Sequence, residues 1–336
     1  MALCFGGVNT FCVFVGLAGA LAAPPARRHG RGRGSAKIPP GLTGHHFAQP
    51  TPATPHTTHR TDMNNTSSII TFIGGGNMAS AIIGGLLRQG HPASALQVVE
   101  PWDEQRSRLV QQFPGLVVLA AASAALQAAS LVVWAVKPQT FKEAAAQAQP
   151  FLGDALHLSV AAGITSDSIA AWLDTPRIVR AMPNTPALVG LGMTGLFARP
   201  GVDDAGRALV ETVVKTTGDW VWVSAETQLD AVTALSGSGP AYVFYFLEAM
   251  RDAGSQMGLS PEVAQQLAVG TFLGAATLAQ RSSEPLQTLR ERVTSKGGTT
   301  YAAITSMQSD GVKAHFEAAM FAAQRRAEAL GREFGK

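Results

Sequence analysis

Past residue 62 this 336-residue chain contains no cysteine: its two cysteines, Cys4 and Cys12, both fall near the start. That excludes a disulfide framework, a thiolate nucleophile and a Cys/His zinc site from the remainder. Histidine is nearly as scarce there, with only His91, His157 and His315. They lie too far apart in sequence to suggest a ligand set, and each reads as a surface or packing residue. A basic surplus is missing as well. Residues 1–62 hold six Lys/Arg against the single acid Asp62, whereas 63–336 hold 20 basic and 22 acidic residues, so the formal charge of +3 belongs to the tail. A nucleic-acid partner loses its electrostatic basis. No apolar stretch in 63–336 reaches the ~20 uninterrupted residues that span a bilayer, so no membrane partner is expected.

The tail, taken as residues 1–66, has two readings. Met1–Ala23 is apolar and precedes Pro24-Pro25-Ala26-Arg27-Arg28, but no Lys or Arg comes before the apolar run, which fits a secretory leader poorly. Residues 24–62 are rich in Pro, Thr, His and Gly without periodicity and read as disordered. The favoured reading makes Met63 the initiator and everything upstream an over-extended frame. With neither a leader nor a span, a cytoplasmic location is expected.

What the chain does have is alternation. From Ser68 to about Ser224, short β-branched runs (69–73, 96–100, 116–119, 131–135, 155–159, 177–180) alternate with amphipathic segments at 77–89, 102–112, 139–150 and 166–173. Such alternation predicts an α/β fold with a doubly wound parallel sheet. Further strands are expected at 193–198 and 220–223, flanking a helix at 203–217. After Glu226 the strand signal stops, and helices are expected at 239–258, 261–281, 299–308 and 312–331. The chain therefore divides into 67–225 and an all-helical 226–336. Residues 239–250, GPAYVFYFLEAM, are apolar on nearly every face, which calls for burial on all sides and predicts a homodimer through the helical half.

Gly74-Gly75-Gly76-Asn77-Met78-Ala79 follows the first strand and opens the first helix, matching G-x-G-x-x-G/A. Gly74 serves the bend, Gly76 lets the backbone approach a pyrophosphate, and Ala79 allows close helix–sheet packing. The helix start then offers free N–H groups to the phosphates. Glu100 ends the second strand, where an acid binds a ribose 2′-hydroxyl, while Arg106 and Arg108 on the next helix could reach a 2′-phosphate. A Glu100 that merely faces solvent is the plainer alternative, and NADH against NADPH stays open. Ala135-Val136-Lys137-Pro138 and Ala161-Ala162 lie at the carboxyl ends of later strands, where ligands of such sheets bind. In the helical half, Val293-Thr-Ser-Lys-Gly-Gly-Thr-Thr300 leads into a helix with two glycines and four Ser/Thr residues, a cradle for phosphate or carboxylate. Ordinary helix capping is its structural alternative.

Together and in this order, Phe72–Ala79, Ala135–Gln139, Met182-Pro-Asn-Thr-Pro186, Leu235-Ser-Gly-Ser-Gly-Pro-Ala-Tyr242 and Val293–Thr300 make the chain resemble the pyrroline-5-carboxylate reductase family from about Ile69 to about Leu330. The resemblance implies a Rossmann domain joined to a helical dimerisation domain, dimers that assemble into decamers, and hydride transfer from NAD(P)H to 1-pyrroline-5-carboxylate as the last step of proline synthesis, without a metal. Carried over by position, it implies cofactor contacts at Gly75, Asn77, Met78, Val136, Lys137 and Ala162. Substrate contacts would be Glu226, Glu291, Arg292, Ser295, Gly297, Gly298, Thr299 and Thr300, with Thr300 the catalytic, proton-handling candidate. Lys296 stands where the family commonly has proline, Ala120–Ser123 lacks a common asparagine, and Arg292 replaces a commonly neutral amide. Rival readings fit less well. A 3-hydroxyacid dehydrogenase or related imine reductase needs a Lys/Asn pair, and no asparagine follows Asn184. A ketol-acid reductoisomerase needs clustered acids, whereas Glu226 and Asp230 stand alone at i, i+4. A non-catalytic dinucleotide sensor would not need the second anion cradle.

Overall fold

In the computed structural model, residues 68–335 are described, all within one compact unit. The expectations for residues 1–66 lie outside them. Eight strands form one sheet: β1 Ile70–Ile73, β2 Leu96–Val99, β3 Val117–Leu119, β4 Leu131–Trp134, β5 Leu156–Ser159, β6 Ile178–Met182, β7 Gly192–Ala198 and β8 Gly218–Trp222. Their order is β3-β2-β1-β4-β5-β6-β7-β8, parallel except for the antiparallel pair β6/β7. The helices of this half are α1 Asn77–Arg88, α2 Asp103–Gln112, α3 Pro138–Ala148, α4 Ser166–Leu173 and α5 Asp204–Val214.

Period-two alternation builds the layers. Ile70, Phe72, Val98, Leu131, Val133, Leu156 and Leu158 join the core on one face with Ala79, Ile83 and Leu86 of α1 and Val210 and Val213 of α5. Ile73, Val99, Val132 and Trp134 join the core on the other face with Phe141 and Ala145 of α3 and Ile169 of α4. Each strand is thus apolar on both sides, as a sheet covered by helices on both faces requires.

The order β3-β2-β1-β4 makes β1 and β4 neighbours, so connections diverge above them. The Gly-rich turn, the end of β2 and the Ala135–Pro138 turn meet at this switch point. The expected strands and helices are present with ends shifted by a few residues. The 203–217 helix, for example, stops at Val214, where Thr216 and Thr217 turn their hydroxyls back onto Val213 and Val214 carbonyls at 2.7 and 2.8 Å.

The helical half contains α6 Gln228–Val232, α7 Gly239–Gln256, α8 Pro261–Arg281, α9 Leu286–Arg292, α10 Thr299–Ser309 and α11 Val312–Phe334. Neither α6 nor α9 was expected from periodicity, because five and seven residues are too short to display it. Between α6 and α7 the backbone widens into one π turn, Thr233–Gly237. Residues 236–240 therefore continue a helical path rather than begin one. A Cβ on Gly237 would lie 2.6 Å from Met182 Cε, so the methionine end packs directly on this glycine. The all-round burial expected of 239–250 is not met within one protomer: Phe244 is 59% and Tyr245 71% exposed.

Candidate active site

Gly74 leaves β1 with φ +93°, a left-handed conformation, and a Cβ there would strike the Ala135 carbonyl at 2.8 Å. Gly75 is hemmed in by side chains instead: a Cβ would reach Cδ1 of the buried Leu109 at 2.5 Å, which would have to give way. Gly76 differs, since its Cβ would meet nothing within 4 Å, and it caps α1 without any side-chain hydrogen bond. The first α1 N–H groups, beginning at the exposed Asn77, donate to no capping side chain. An open backbone at a helix start is what a pyrophosphate occupies, so these residues fit a dinucleotide. Met78 packs on the core and Ala79 is fully buried, as close helix–sheet approach requires.

Glu100 does not merely face solvent. It is buried, its Oε2 accepts the Gly75 N–H at 2.9 Å, and its Oε1 accepts the Trp102 N–H at 3.1 Å. Gln105 Nε2 adds a 2.7 Å bond to the Gly75 carbonyl, so the end of β2 and the start of α2 clamp the Gly-rich turn. Arg106 Nη1 donates to the Glu100 and Pro101 carbonyls at 3.0 and 2.6 Å, and its Nη2 pairs with Asp103 at 2.9 Å. Arg108 is exposed and sits 3.9 Å from Glu104.

Across the switch point, Ala135 N–H bonds the Ile73 carbonyl at 2.8 Å, fixing the Ala135-Val136 turn beside Gly74. Lys137 is exposed at the α3 N-cap, with Pro138 in the first turn. Ala161 is buried and Ala162 half-buried in the turn after β5, where the Ser159 hydroxyl receives the Ala161 N–H at 3.3 Å. All thirteen expected cofactor residues thus sit at the carboxyl ends of β1, β2, β4 and β5.

The expected substrate residues divide. Ser295, Gly297, Gly298, Thr299 and Thr300 form one loop. Gly297 takes φ +77°, Gly298 bonds back to the Ser295 carbonyl at 3.0 Å, and α10 starts at Thr299 with no side-chain cap. Thr300 is half-buried and Thr299 exposed. Glu291 accepts from Gln287 Nε2 at 2.8 Å, and Arg292 pairs with Glu284 at 2.5 Å, so both side chains have partners on or beside α9. Among the described residues, no hydrogen bond or ion pair joins this loop to the Gly-rich turn of the same chain.

Glu226 is placed elsewhere. Its Oε1 accepts from Arg180 Nη1 at 2.7 Å and from the Ser166 N–H at 2.6 Å, while Oε2 meets the Ser166 hydroxyl at 2.5 Å. It therefore closes the first turn of α4 and neutralises a buried arginine. Arg199 bonds the same Ser166 hydroxyl at 3.2 Å and pairs with Asp167. Burial pushes the nearby Asp230 carboxyl up, against the opposing pull of Arg180. Sequence reasoning missed Ser166, Arg180 and Arg199; the signal was an arginine within an otherwise apolar β6. It also gave Asn184 no role. Asn184 accepts the Met193 N–H at 2.9 Å and donates to Ser236 Oγ and to the Ser236 carbonyl, each at 3.2 Å, tying the sheet to the π turn. Among the described residues no group of three or more His, Cys, Asp or Glu side chains is placed to hold a metal, and no helix is long and apolar enough to cross a membrane.

Comparison with known proteins agrees with this architecture. Residues 226–330 match the family model described as pyrroline-5-carboxylate reductase dimerisation, and residues 69–163 match that of the coenzyme F420-dependent NADP oxidoreductases. The pyrroline-5-carboxylate reductase of Pseudomonas aeruginosa is 44% identical over 269 residues, covering 80% of this chain and 98% of that protein. A solved reductase of Coxiella burnetii superposes with TM-score 0.74 at 38% identity, over 80% of this chain and 99% of that one. The Plasmodium falciparum enzyme, solved with NADP bound, gives 0.70 at 27% identity over 78% and 97%. The fold, the placing of the Gly-rich turn and these likenesses lead to one conclusion: the chain belongs to the pyrroline-5-carboxylate reductase family.

Proposed function

We propose that this chain reduces 1-pyrroline-5-carboxylate to L-proline, the last step of proline synthesis, with NADH or NADPH. The observation that carries the reading is the open, uncapped start of α1 at the switch point of a chain whose helical half matches the reductase family. When bound, the dinucleotide supplies the hydride to the C=N carbon. The chain's own residues orient the two reactants. Gly76, Asn77 and Met78 present main-chain N–H groups to the pyrophosphate, and Glu100 faces the adenosine ribose. Val136, Lys137 and Pro138 border the cleft, and Ala161-Ala162 bed the nicotinamide. Main-chain N–H groups of Gly297, Thr299 and Thr300 at the start of α10 hold the substrate carboxylate, Gly298 closing the turn onto Ser295, with Ser295, Glu291 and Arg292 at the rim. Lys296 adds a positive charge to that loop.

Thr300 bonds the ring nitrogen. A cyclic imine is basic enough to be partly protonated near neutrality, so acceptance of hydride requires no strong side-chain acid, and orientation with electrostatics supplies the rate. Glu226, engaged by Arg180 and Ser166, acts here by holding α4 and β6 in place. The chain works in the cytoplasm as a homodimer or as a decamer built from five such dimers.

The test is loss of reduced-nicotinamide absorbance with pyrroline-5-carboxylate, run in parallel with NADH and NADPH. Rapid oxidation is expected; a folded protein that binds the cofactor without oxidising it would be a sensor. Thr300→Ala should lower kcat about 10²-fold while cofactor affinity stays within about twofold, since loss of one positioned group typically costs 10²–10⁴. An unchanged kcat would remove Thr300 from the mechanism.

A further inference from the structure

The last helix returns from the helical half to the sheet. Its final turn lies against the segment that follows β5. Gly163 ends the Ala161–Gly163 turn with φ +76°, and a Cβ on it would meet Leu330 Cβ at 3.1 Å and the Leu330 carbonyl carbon at 3.4 Å. On the other side of this contact, a Cβ on Gly331 would lie 3.7 Å from the Gly163 carbonyl oxygen. Two further contacts hold the turn in place. The Ser168 hydroxyl donates to the Gly335 carbonyl at 2.6 Å, and Phe334 packs onto the core face formed by Trp134, Phe141, Ile164 and Ile169. Ser168 is itself fixed by Thr165, the N-cap of α4, at 2.8 Å.

We propose that the C-terminal turn of α11, Leu330–Gly335, is a positioning element for the nicotinamide end of the cofactor, backing the Ala161–Gly163 turn from behind. The inference rests on the cofactor reading above. Gly163 leaves the turn free to adopt many conformations, because it lacks a Cβ and already occupies the left-handed region. Steric contact with Leu330 and Gly331 selects one of them. The same helix begins at Val312, with Gly311 as its N-cap, two residues past the end of α10, whose first turn carries Thr299 and Thr300. The helix that carries this turn is 23 residues long. Small displacements of reacting atoms cost rate steeply, about 10²-fold for ~1 Å, so holding the Ala161–Gly163 turn in one conformation fixes where the nicotinamide lies without touching it.

The test compares the full chain with a chain ended after Ala329 and with the full-length double variant Ser168→Ala/Phe334→Ala, which unhooks the turn but keeps α11. Binding of NADH or NADPH is titrated by nicotinamide fluorescence, and binding of ADP-ribose or its 2′-phosphate, which lack nicotinamide, by calorimetry. The expected result is a roughly tenfold weaker Kd for the reduced dinucleotide with ADP-ribose affinity within about twofold of the parent. Where the parent turns over, kcat should fall at least tenfold while the KM for pyrroline-5-carboxylate holds. Phe334→Leu, keeping an apolar anchor, should restore most of the loss. Equal weakening of both ligands would overturn the proposal, since it would signal general loosening of the sheet half. So would unchanged dinucleotide affinity in a folded double variant. The affinities decide the matter even if the parent fails to reduce pyrroline-5-carboxylate, which separates this inference from the assigned reaction.

Discussion

Glu100 places a carboxylate against the main chain of the Gly-rich turn, with Gly75 and Trp102 N–H groups as its fixed donors. The Arg106 guanidinium beside it is engaged by two carbonyls and Asp103. A ribose diol can bond the carboxylate, whereas a dianionic phosphate is repelled by it. Glu100→Gln keeps an acceptor for Gly75 and removes the charge. The ratio of kcat/KM for NADPH over that for NADH should rise about tenfold, or about 1.4 kcal/mol, in initial-rate assays. A ratio unchanged within twofold would assign the preference to another residue. His157 presents a second residue-scale effect. It is buried on β5, its Nδ1 accepts the Trp134 indole N–H of neighbouring β4 at 3.2 Å, and burial together with the positive Arg177 lowers its pKa to about 4, against a smaller opposing pull from Asp154. The unfolded chain, with a histidine near 6.5, therefore binds more protons between pH 6.5 and 4. The stabilisation from a neutral His157 is fully present above 6.5 and is lost as the pH falls through that window toward 4. Thermal melts from pH 7 to 4 should show the loss, and His157→Asn, whose amide oxygen can still accept from Trp134, should flatten it.

At the scale of elements, the ion pair between Arg180 on β6 and Glu226 just before α6 joins the sheet to the helical half, and Ser166 brings α4 into the same contact. Removing one partner leaves a largely buried guanidinium without its counter-charge, at a cost of about 3 kcal/mol. Glu226→Ala should lower Tm by about 6–12 °C, taking roughly 2–4 °C per kcal/mol for a chain this size. A double-mutant cycle with Arg180→Met should recover part of the loss, because the orphaned charge is then gone. If Glu226→Ala instead left Tm unmoved and only raised the KM for substrate, its carboxylate would be a ligand rather than a strut.

On the scale of the whole molecule, one protomer leaves much apolar surface in water. Phe244 and Tyr245 on α7, Leu267 and Leu273 on α8, and Tyr301 and Met307 on α10 are all exposed. A cavity of about 560 Å³ opens beside Phe244, lined also by Pro240, Phe246, Phe272 and Phe316. Exposed apolar area on this scale marks an interface, in keeping with the dimerisation family matched by residues 226–330. Phe244→Glu would bury a charge at such an interface. Sedimentation should show monomer for the variant and a dimer or larger for the parent, with reductase activity falling alongside. A variant that stays dimeric would move the interface off this face of α7.

How much of this could be read from residues alone depended on the range of the interaction. The βαβ order, the Gly-rich turn and the helix start after Gly297-Gly298 are local patterns: short β-branched apolar runs, amphipathic helices of eight or more residues, and glycines such as Gly74 and Gly297 in the left-handed region. The sequence by itself determined these, and with them the family and the cofactor class. Elements of five to seven residues such as α6 and α9 carry too few positions to show a period, and they were invisible. Tertiary structure alone decided which charges meet. Glu226 reads as an isolated acid at i, i+4 from Asp230, yet folding sets it on Arg180, 46 residues away, and on Ser166, 60 away. It also decided that Glu100 turns inward and that the end of α11 reaches the turn after β5. Such pairings depend on how the layers stack, because a buried charge takes whatever partner the fold brings within hydrogen-bond reach, and no spacing along the chain specifies it.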